Sequence, residues 1–200
     1  MTNPWMHRIG VILAVTAVAS SACVREPGSD YFWNEGTARK TYGVKFTQQG
    51  IGTVEGKAFF RQGEVITIGS NEYHTSVTTY DGIPGLPPQT SYSRLGKDGI
   101  YSRITTDPSA EEALEIPLPA RVGRKWIYKN DVLHLDKEIV GFEDLDTSEG
   151  IYRHCLKIAG KGNMGSYEAE TTDYFCSKVG LVRQWSAVKG LFVLEVKLIK

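Results

Sequence analysis

Phe192-Val193-Leu194-Glu195-Val196-Lys197-Leu198 decides the fold class. In an extended chain Phe192, Leu194, Val196 and Leu198 fall on one side and Glu195 and Lys197 on the other, because strand side chains alternate with period two. One face of this segment is therefore predicted to be buried and the other wet. The same texture recurs upstream. Ile151 to Ala159 places Tyr152, His154, Leu156 and Ile158 on its apolar side and Arg153, Cys155 and Lys157 opposite. Further strand-like runs are read at 38–47, 52–60, 64–69, 72–80, 89–95, 99–105, 124–129, 132–140, 167–177 and 181–187, with the last strand spanning 191–199. Gln62-Gly63, Gly69-Ser70-Asn71 and Lys97-Asp98-Gly99 read as the hairpin turns between them.

Only Asp107-Pro108-Ser109-Ala110-Glu111-Glu112-Ala113-Leu114 reads as helix, with Ser109 and Glu112 at capping-box spacing and acids in the first turn. Pro117 and Pro119 then return the chain to extended structure. Many short strands with one short helix near 108–114 predict an all-β domain over 31–200, an antiparallel meander curled into a half-barrel or barrel.

The chain carries 23 basic and 23 acidic residues among 200, with 41% hydrophobic residues. That composition suits one globular domain and gives no electrostatic case for nucleic acid. The N-terminus stands apart. His7 and Arg8 are followed by an apolar run, Ile9 to Ala19, too short to span a bilayer, and then by Ser20-Ser21-Ala22 before Cys23. Residues 1–22 resemble the signal peptide of a bacterial lipoprotein, although Ser20 stands where that family usually has Leu. Met6 opens a more typical signal than Met1. The resemblance implies that Cys23 is lipidated and that 23–30 tether the domain to a membrane. Val24, in place of the Asp that retains such proteins at the inner membrane, implies the periplasmic face of the outer membrane. An ordinary secretory signal cleaved near Ala22 is the alternative, and it too exports the domain. With Cys23 acylated, Cys155 and Cys176 remain as an even pair. A hairpin folded near Gly165-Ser166 sets them opposite one another on the more polar side of the sheet, where a disulfide would contribute about 3 kcal/mol.

Pro119-Ala120-Arg121-Val122-Gly123-Arg124-Lys125-Trp126-Ile127-Tyr128, followed by Tyr174-Phe175-Cys176-Ser177-Lys178-Val179-Gly180-Leu181-Val182-Arg183, resembles a group of uncharacterised bacterial envelope lipoproteins with the pattern PL-x-VG-x-x-W-x-Y and then YY-x-x-x-VG-LV. The resemblance covers mainly 117–200 and implies a fold like the β half-barrels of lipoprotein carriers, in which a curved sheet can enclose an apolar cavity. Lys178 replaces a Gly of that pattern, from which we expect that no positive φ is demanded there.

Catalytic motifs are sparse. His74, His134 and His154 form no metal-ligand spacing; His154 could line a cavity or be a satisfied core histidine, and His134 shares a strand face with Asp136 and Glu138. Glu143, Asp144, Asp146 and Glu149 form an acidic run read as a hairpin tip, without EF-hand order. No GxSxG elbow or phosphate loop is present. The expectation is thus a non-enzymatic protein without metal or cofactor. Its aromatic residues, among them Phe60, Tyr73, Trp126, Tyr128 and Trp185, could line a pocket for an apolar ligand or lipid or could form a plain core. The alternative is a structural or assembly subunit that binds another envelope protein through a sheet edge or through the apolar, proline-stiffened loop 82–88.

Overall fold

The computed structural model of the protein describes residues 39–199. Their strands are β1 (Arg39–Gln48), β2 (Gly52–Ile68), β3 (Asn71–Asp81), β4 (Gln89–Leu95), β5 (Gly99–Arg103), β6 (Ala113–Pro117), β7 (Lys125–Lys129), β8 (Leu133–Thr147), β9 (Gly150–Met164), β10 (Tyr167–Cys176), β11 (Gly180–Val188) and β12 (Phe192–Leu198). Two antiparallel meanders, β1 to β6 and β7 to β12, are joined by a ladder between β1 and β12. The resulting 12-stranded sheet curls into a nearly closed barrel whose edge strands, β6 and β7, face each other. The inward residues of β12 are those the alternation predicts: Phe192, Leu194, Val196 and Leu198 are all buried. Across the β1 ladder they meet Tyr42, Val44 and Phe46.

No helix forms near 108–114 or elsewhere among the described residues. Ser109 does not cap toward Glu112. Its backbone N–H and hydroxyl both donate to Asp107 Oδ1, at 2.9 and 2.7 Å, and the Ala110 N–H donates to the Asp107 carbonyl at 3.1 Å. An Asx-type turn of this kind competes directly with a helix of one or two turns, which has few hydrogen bonds to offer in return. Ala113 and Leu114 already belong to β6, a strand too short to show a period of its own in the sequence.

Gln62-Gly63 is not a turn either, and the runs 52–60 and 64–69 are one strand. Gly63 and Glu64 together oppose Thr75 in a bulge, and Thr75 Oγ1 donates to the Glu64 carbonyl at 2.7 Å. In β8 and β9 the ladder continues through the acidic run to a tip at Thr147–Gly150. Because β1 pairs only as far as Arg61 of β2, and β7 only as far as Glu138 of β8, the β2–β3 and β8–β9 hairpins overhang the barrel. Both project from the end where β1 begins and β12 finishes.

Cys155 and Cys176 are joined, with their Cα atoms 4.2 Å apart. The hairpin turns at Gly165-Ser166, so Met164 pairs with Tyr167 and Leu156 with Phe175, which brings the two cysteines level. They lie on the side expected: Cys155 pairs across the ladder with Glu143 and shares the face of Lys157, opposite Leu156 and Ile158. The bond is nevertheless buried, next to a bulge that sets Arg153 and His154 against Asp144 alone and gives His154 φ +55°. Cys155 is fully covered there, whereas His154 is exposed. Lys178 is also contrary to expectation: it adopts φ +62° in the turn between β10 and β11, so the left-handed backbone is required there and a lysine supplies it.

Candidate functional site at the barrel seam

Between β6 and β7 no backbone ladder forms among the described residues, and side chains close the gap. The indole N–H of Trp126 donates to the Leu114 carbonyl across the seam at 3.0 Å. Arg124 Nη1 donates to the carbonyls of Leu118 and Pro119 at 2.7 and 3.1 Å, fixing the loop that links the two edges.

Behind the seam the barrel interior is charged. Leu133, Leu135, Lys137 and Ile139 are the inward residues of β8, so a lysine occupies a position that the alternation reserves for apolar side chains. Its register partner on β9 is Gly160. A Cβ on Gly160 would lie 3.2 Å from Lys137 Cγ and 2.6 Å from Thr171 Oγ1. The missing side chain lets the lysine stem lie across β9 and carry Nζ to Asp173 Oδ2 on β10, at 3.3 Å. Glu115 Oε2 on β6 stands 3.9 Å from the same nitrogen. One ammonium thus bridges two buried carboxylates from opposite sides of the seam.

The neighbours complete the network. Ser102 donates its hydroxyl to Glu115 Oε1, and Gln184 Nε2 donates to Asp173 Oδ1 at 2.9 Å. The Tyr128 ring lies 4.5 Å from Lys137 Nζ. Burial pushes the Glu115 carboxyl above its ordinary range, against the pull of Lys137 and Ser102. Thr171 Oγ1, Ser186 Oγ and Gln184 Oε1, on the same inner face, have no hydrogen-bond partner. Toward the overhanging end Lys40 donates to the Val179 carbonyl, and burial lowers its pKa to about 8.

A crevice of about 280 Å³ opens where the 104–112 loop meets the β7–β8 turn. Ser102 and Tyr128 belong to both the crevice and the interior network, while Arg103, Thr105, Lys129 and Asn130 line it nearer the surface. Next to it Glu112 holds the 104–112 loop against the outer side of β3 and β4. Arg94 Nε donates to its Oε1 at 2.7 Å, Arg94 Nη2 donates to its Oε2, and the Tyr73 hydroxyl donates to Oε1. Burial raises the Glu112 pKa, but the hydrogen bonds from Arg94 and Tyr73 outweigh it and hold the carboxyl below its ordinary range.

The residues singled out from the sequence are not gathered at this place. Cys23, the signal segment and the tether lie outside the described residues. His74 is half-buried in β3, and burial lowers its pKa. His134 and Asp136 lie on the exposed face of β8, where Glu138 pairs with Lys125 at 3.3 Å. His154 is not part of the apolar face; exposed, it stacks on Phe142 with ring centroids 4.3 Å apart. Glu143 pairs with Lys157 at 2.6 Å, and Asp144 accepts the His154 N–H at 2.8 Å, so these acids hold the bulged hairpin together. Among the described residues no three His, Cys, Asp or Glu side chains assemble as metal ligands. Loop 82–88 spends its apolar side chains on the core: Ile83 is buried over Gly56, where a Cβ would come within 2.6 Å of it, and Leu86 is half-buried.

Lys137, Asp173, Glu115 and Arg103 were not singled out from the sequence. The signal that could have found the first was present, since Lys137 and Gly160 both interrupt an inward-facing run on neighbouring strands. Glu115 and Arg103 had no such signal, because the strand containing Glu115 was read as the end of a helix.

No known protein family matches the chain, and no curated protein is significantly similar to it. One solved structure, of a candidate exported protein with a YmcC-like fold from Bacteroides fragilis, is similar over 89% of this chain and 100% of its own, with a TM-score of 0.53 and 13% identity. At that identity the likeness extends to the fold.

Proposed function

We propose that the chain is an exported bacterial envelope lipoprotein, anchored through Cys23 at the outer membrane, whose barrel binds another envelope protein along the free edge of the β8–β9 hairpin. The observation that carries this reading is the edge itself. From 140 to 147, β8 has a strand partner on its β9 side alone among the described residues, and Val140 is 41% exposed there. Unpaired backbone edges with exposed apolar residues recruit an extended segment from a partner. Val122, Ile127 and Ile151, on and around the same three strands, are also exposed. Glu143 and Asp144 are paired with Lys157 and Arg153, so the edge carries both signs, and Asp146 leaves a basic extended segment as the better complement.

Export is supported by the disulfide, which persists in oxidising compartments, and by the exported character assigned to the Bacteroides fragilis protein of similar fold. The interior supports partner binding over carriage of an acyl chain. A lipid tail there would face Lys137, Asp173 and Glu115 and deprive them of solvating partners, at a cost of several kcal/mol. The test uses residues 24–200 exported to a periplasm without the anchor. Native mass spectrometry is expected to give the unliganded mass. A photo-crosslinker at position 140 is expected to trap one envelope protein, weakened by Val140→Lys, while the same group at the exposed Lys45 on the far wall traps none. A discrete lipid adduct in the native spectrum would overturn this reading in favour of an apolar-ligand carrier.

A further inference from the structure

We infer that the rim crevice beside β5 is a binding site for a small oxyanion, a carboxylate or phosphate group, with Arg103 as its main anchor. The inference is independent of the partner edge on β8. It begins from a buried guanidinium with an unmatched donor. Arg94 and Arg103 both lie beside Glu112; among the described residues no other carboxylate is in ion-pair contact with either, although the exposed Asp107 acts on Arg103 from farther off. Arg94 takes the Glu112 carboxylate in a two-pronged grip, and Tyr73 adds a third hydrogen bond to it. Arg103 is left over.

Arg103 is 6% exposed, which is unusual for a guanidinium without a carboxylate bound to it. It lies 5.5 Å from the Tyr73 ring centroid, and its Nη2 donates to the Ala110 carbonyl. Its Nε has no hydrogen-bond partner. Glu112 and the exposed Asp107 answer its charge only from beyond contact distance, so what is unmet at Arg103 is a buried donor. A guanidinium in that state offers fork-like donors to a planar oxyanion, and a partner for the unmet Nε–H is what such a ligand would bring.

The crevice that Arg103 lines adds donors of the right kind. Ser102 and Thr105 contribute hydroxyls, Asn130 an amide and Lys129 an ammonium. Lys129 is only loosely held, by the exposed Glu111 at 3.4 Å, and can turn toward an anion. A volume of about 280 Å³ sits just below the range of pockets for drug-sized molecules, so the ligand is a small anion or the charged end of a longer one. Glu111 and Asp131 at the mouth would repel a second charge, which limits the site to one anionic group.

The test is NMR on the exported domain, residues 24–200, with the arginine Nε–H signals assigned. Inorganic phosphate and acetate are titrated separately against sodium chloride of matched ionic strength. The Arg103 Nε–H is expected to shift saturably with at least one of the two anions and not with chloride. Saturation by phosphate alone, or by both, identifies which source of oxyanion fits. Binding should weaken roughly tenfold in Arg103→Lys, which keeps the charge and loses the fork, and a few-fold in Lys129→Gln. Absence of a saturable shift with both anions would overturn the inference, as would a shift that chloride reproduces or that Arg103→Lys leaves unchanged.

Discussion

The β1–β12 junction and the β6–β7 seam close the same wall by different means. At the first, seven residue pairs from Tyr42–Leu198 to Gln48–Phe192 run in register. Backbone groups bond one another there, and the inward side chains need only be apolar and of fitting size. At the second, the indole of Trp126, the guanidinium of Arg124 and the ion bridge of Lys137 do what a ladder would do. Closure by ladder tolerates substitution; closure by side chains depends on particular atoms. The seam is accordingly where local opening is expected at the lowest free energy.

Lys137→Met should break the comparison most severely. It leaves Asp173 and Glu115 buried without their cation, and a loss of about 3–5 kcal/mol is expected in urea denaturation. Adding Asp173→Asn and Glu115→Gln to it should recover much of that loss. Replacing Cys155 and Cys176 by Ser should cost about 3 kcal/mol by the same measurement. That disulfide ties β9 to β10, away from both closures, so hydrogen exchange should show protection falling at seam and junction alike.

Trp126→Phe is the sharper probe. It removes the donor to the Leu114 carbonyl at a cost of about 1–2 kcal/mol. Amide exchange should accelerate in β6 and β7 and stay unchanged in the β1–β12 ladder; equal acceleration in both would mean the seam is not a separate unit. The smallest effects belong to two glutamates three residues apart. Glu112 has a lowered folded pKa, so its stabilisation is present above its unfolded pKa near 4.5 and is lost as pH falls through the folded value. Glu115 has a raised folded pKa, so its contribution is present below pH 4.5 and is lost as pH rises through the folded value. Plots of stability against pH for Glu112→Gln and Glu115→Gln should therefore depart from the parent with opposite slopes.

Much of the wall can be read from the alternation of β12 and from the Gly165-Ser166 turn, which sets the register of the disulfide. Its burial is another matter. The bond is covered beside a bulge where the Asp144 carboxylate accepts the His154 N–H, an interaction between residues ten apart that no local period reveals. Lys178 shows the same limit: the tight turn imposes its backbone, and its identity as a lysine argued the other way. β6 was hidden because five residues ending in proline carry too little pattern to outweigh a capping-box motif. The charges of the interior were half legible, since Lys137 visibly breaks the apolar parity of β8, but its partners lie 22 residues before it and 36 after it. The signal segment and Cys23 are legible in sequence alone.

The position of β1 has a mechanical consequence. A pull on the N-terminal side of the domain is delivered at Arg39, to a strand bonded on both sides, by β2 and by β12. In the order of strands, β1 and β12 stand at the middle of the sheet and the seam at its two extremes. Tension from a tether would be carried by the stiffest stretch of wall and would spread through many backbone bonds before it reached Trp126 or Lys137. Were the chain anchored as proposed, the barrel could be tugged from that side while its weakest join stayed slack.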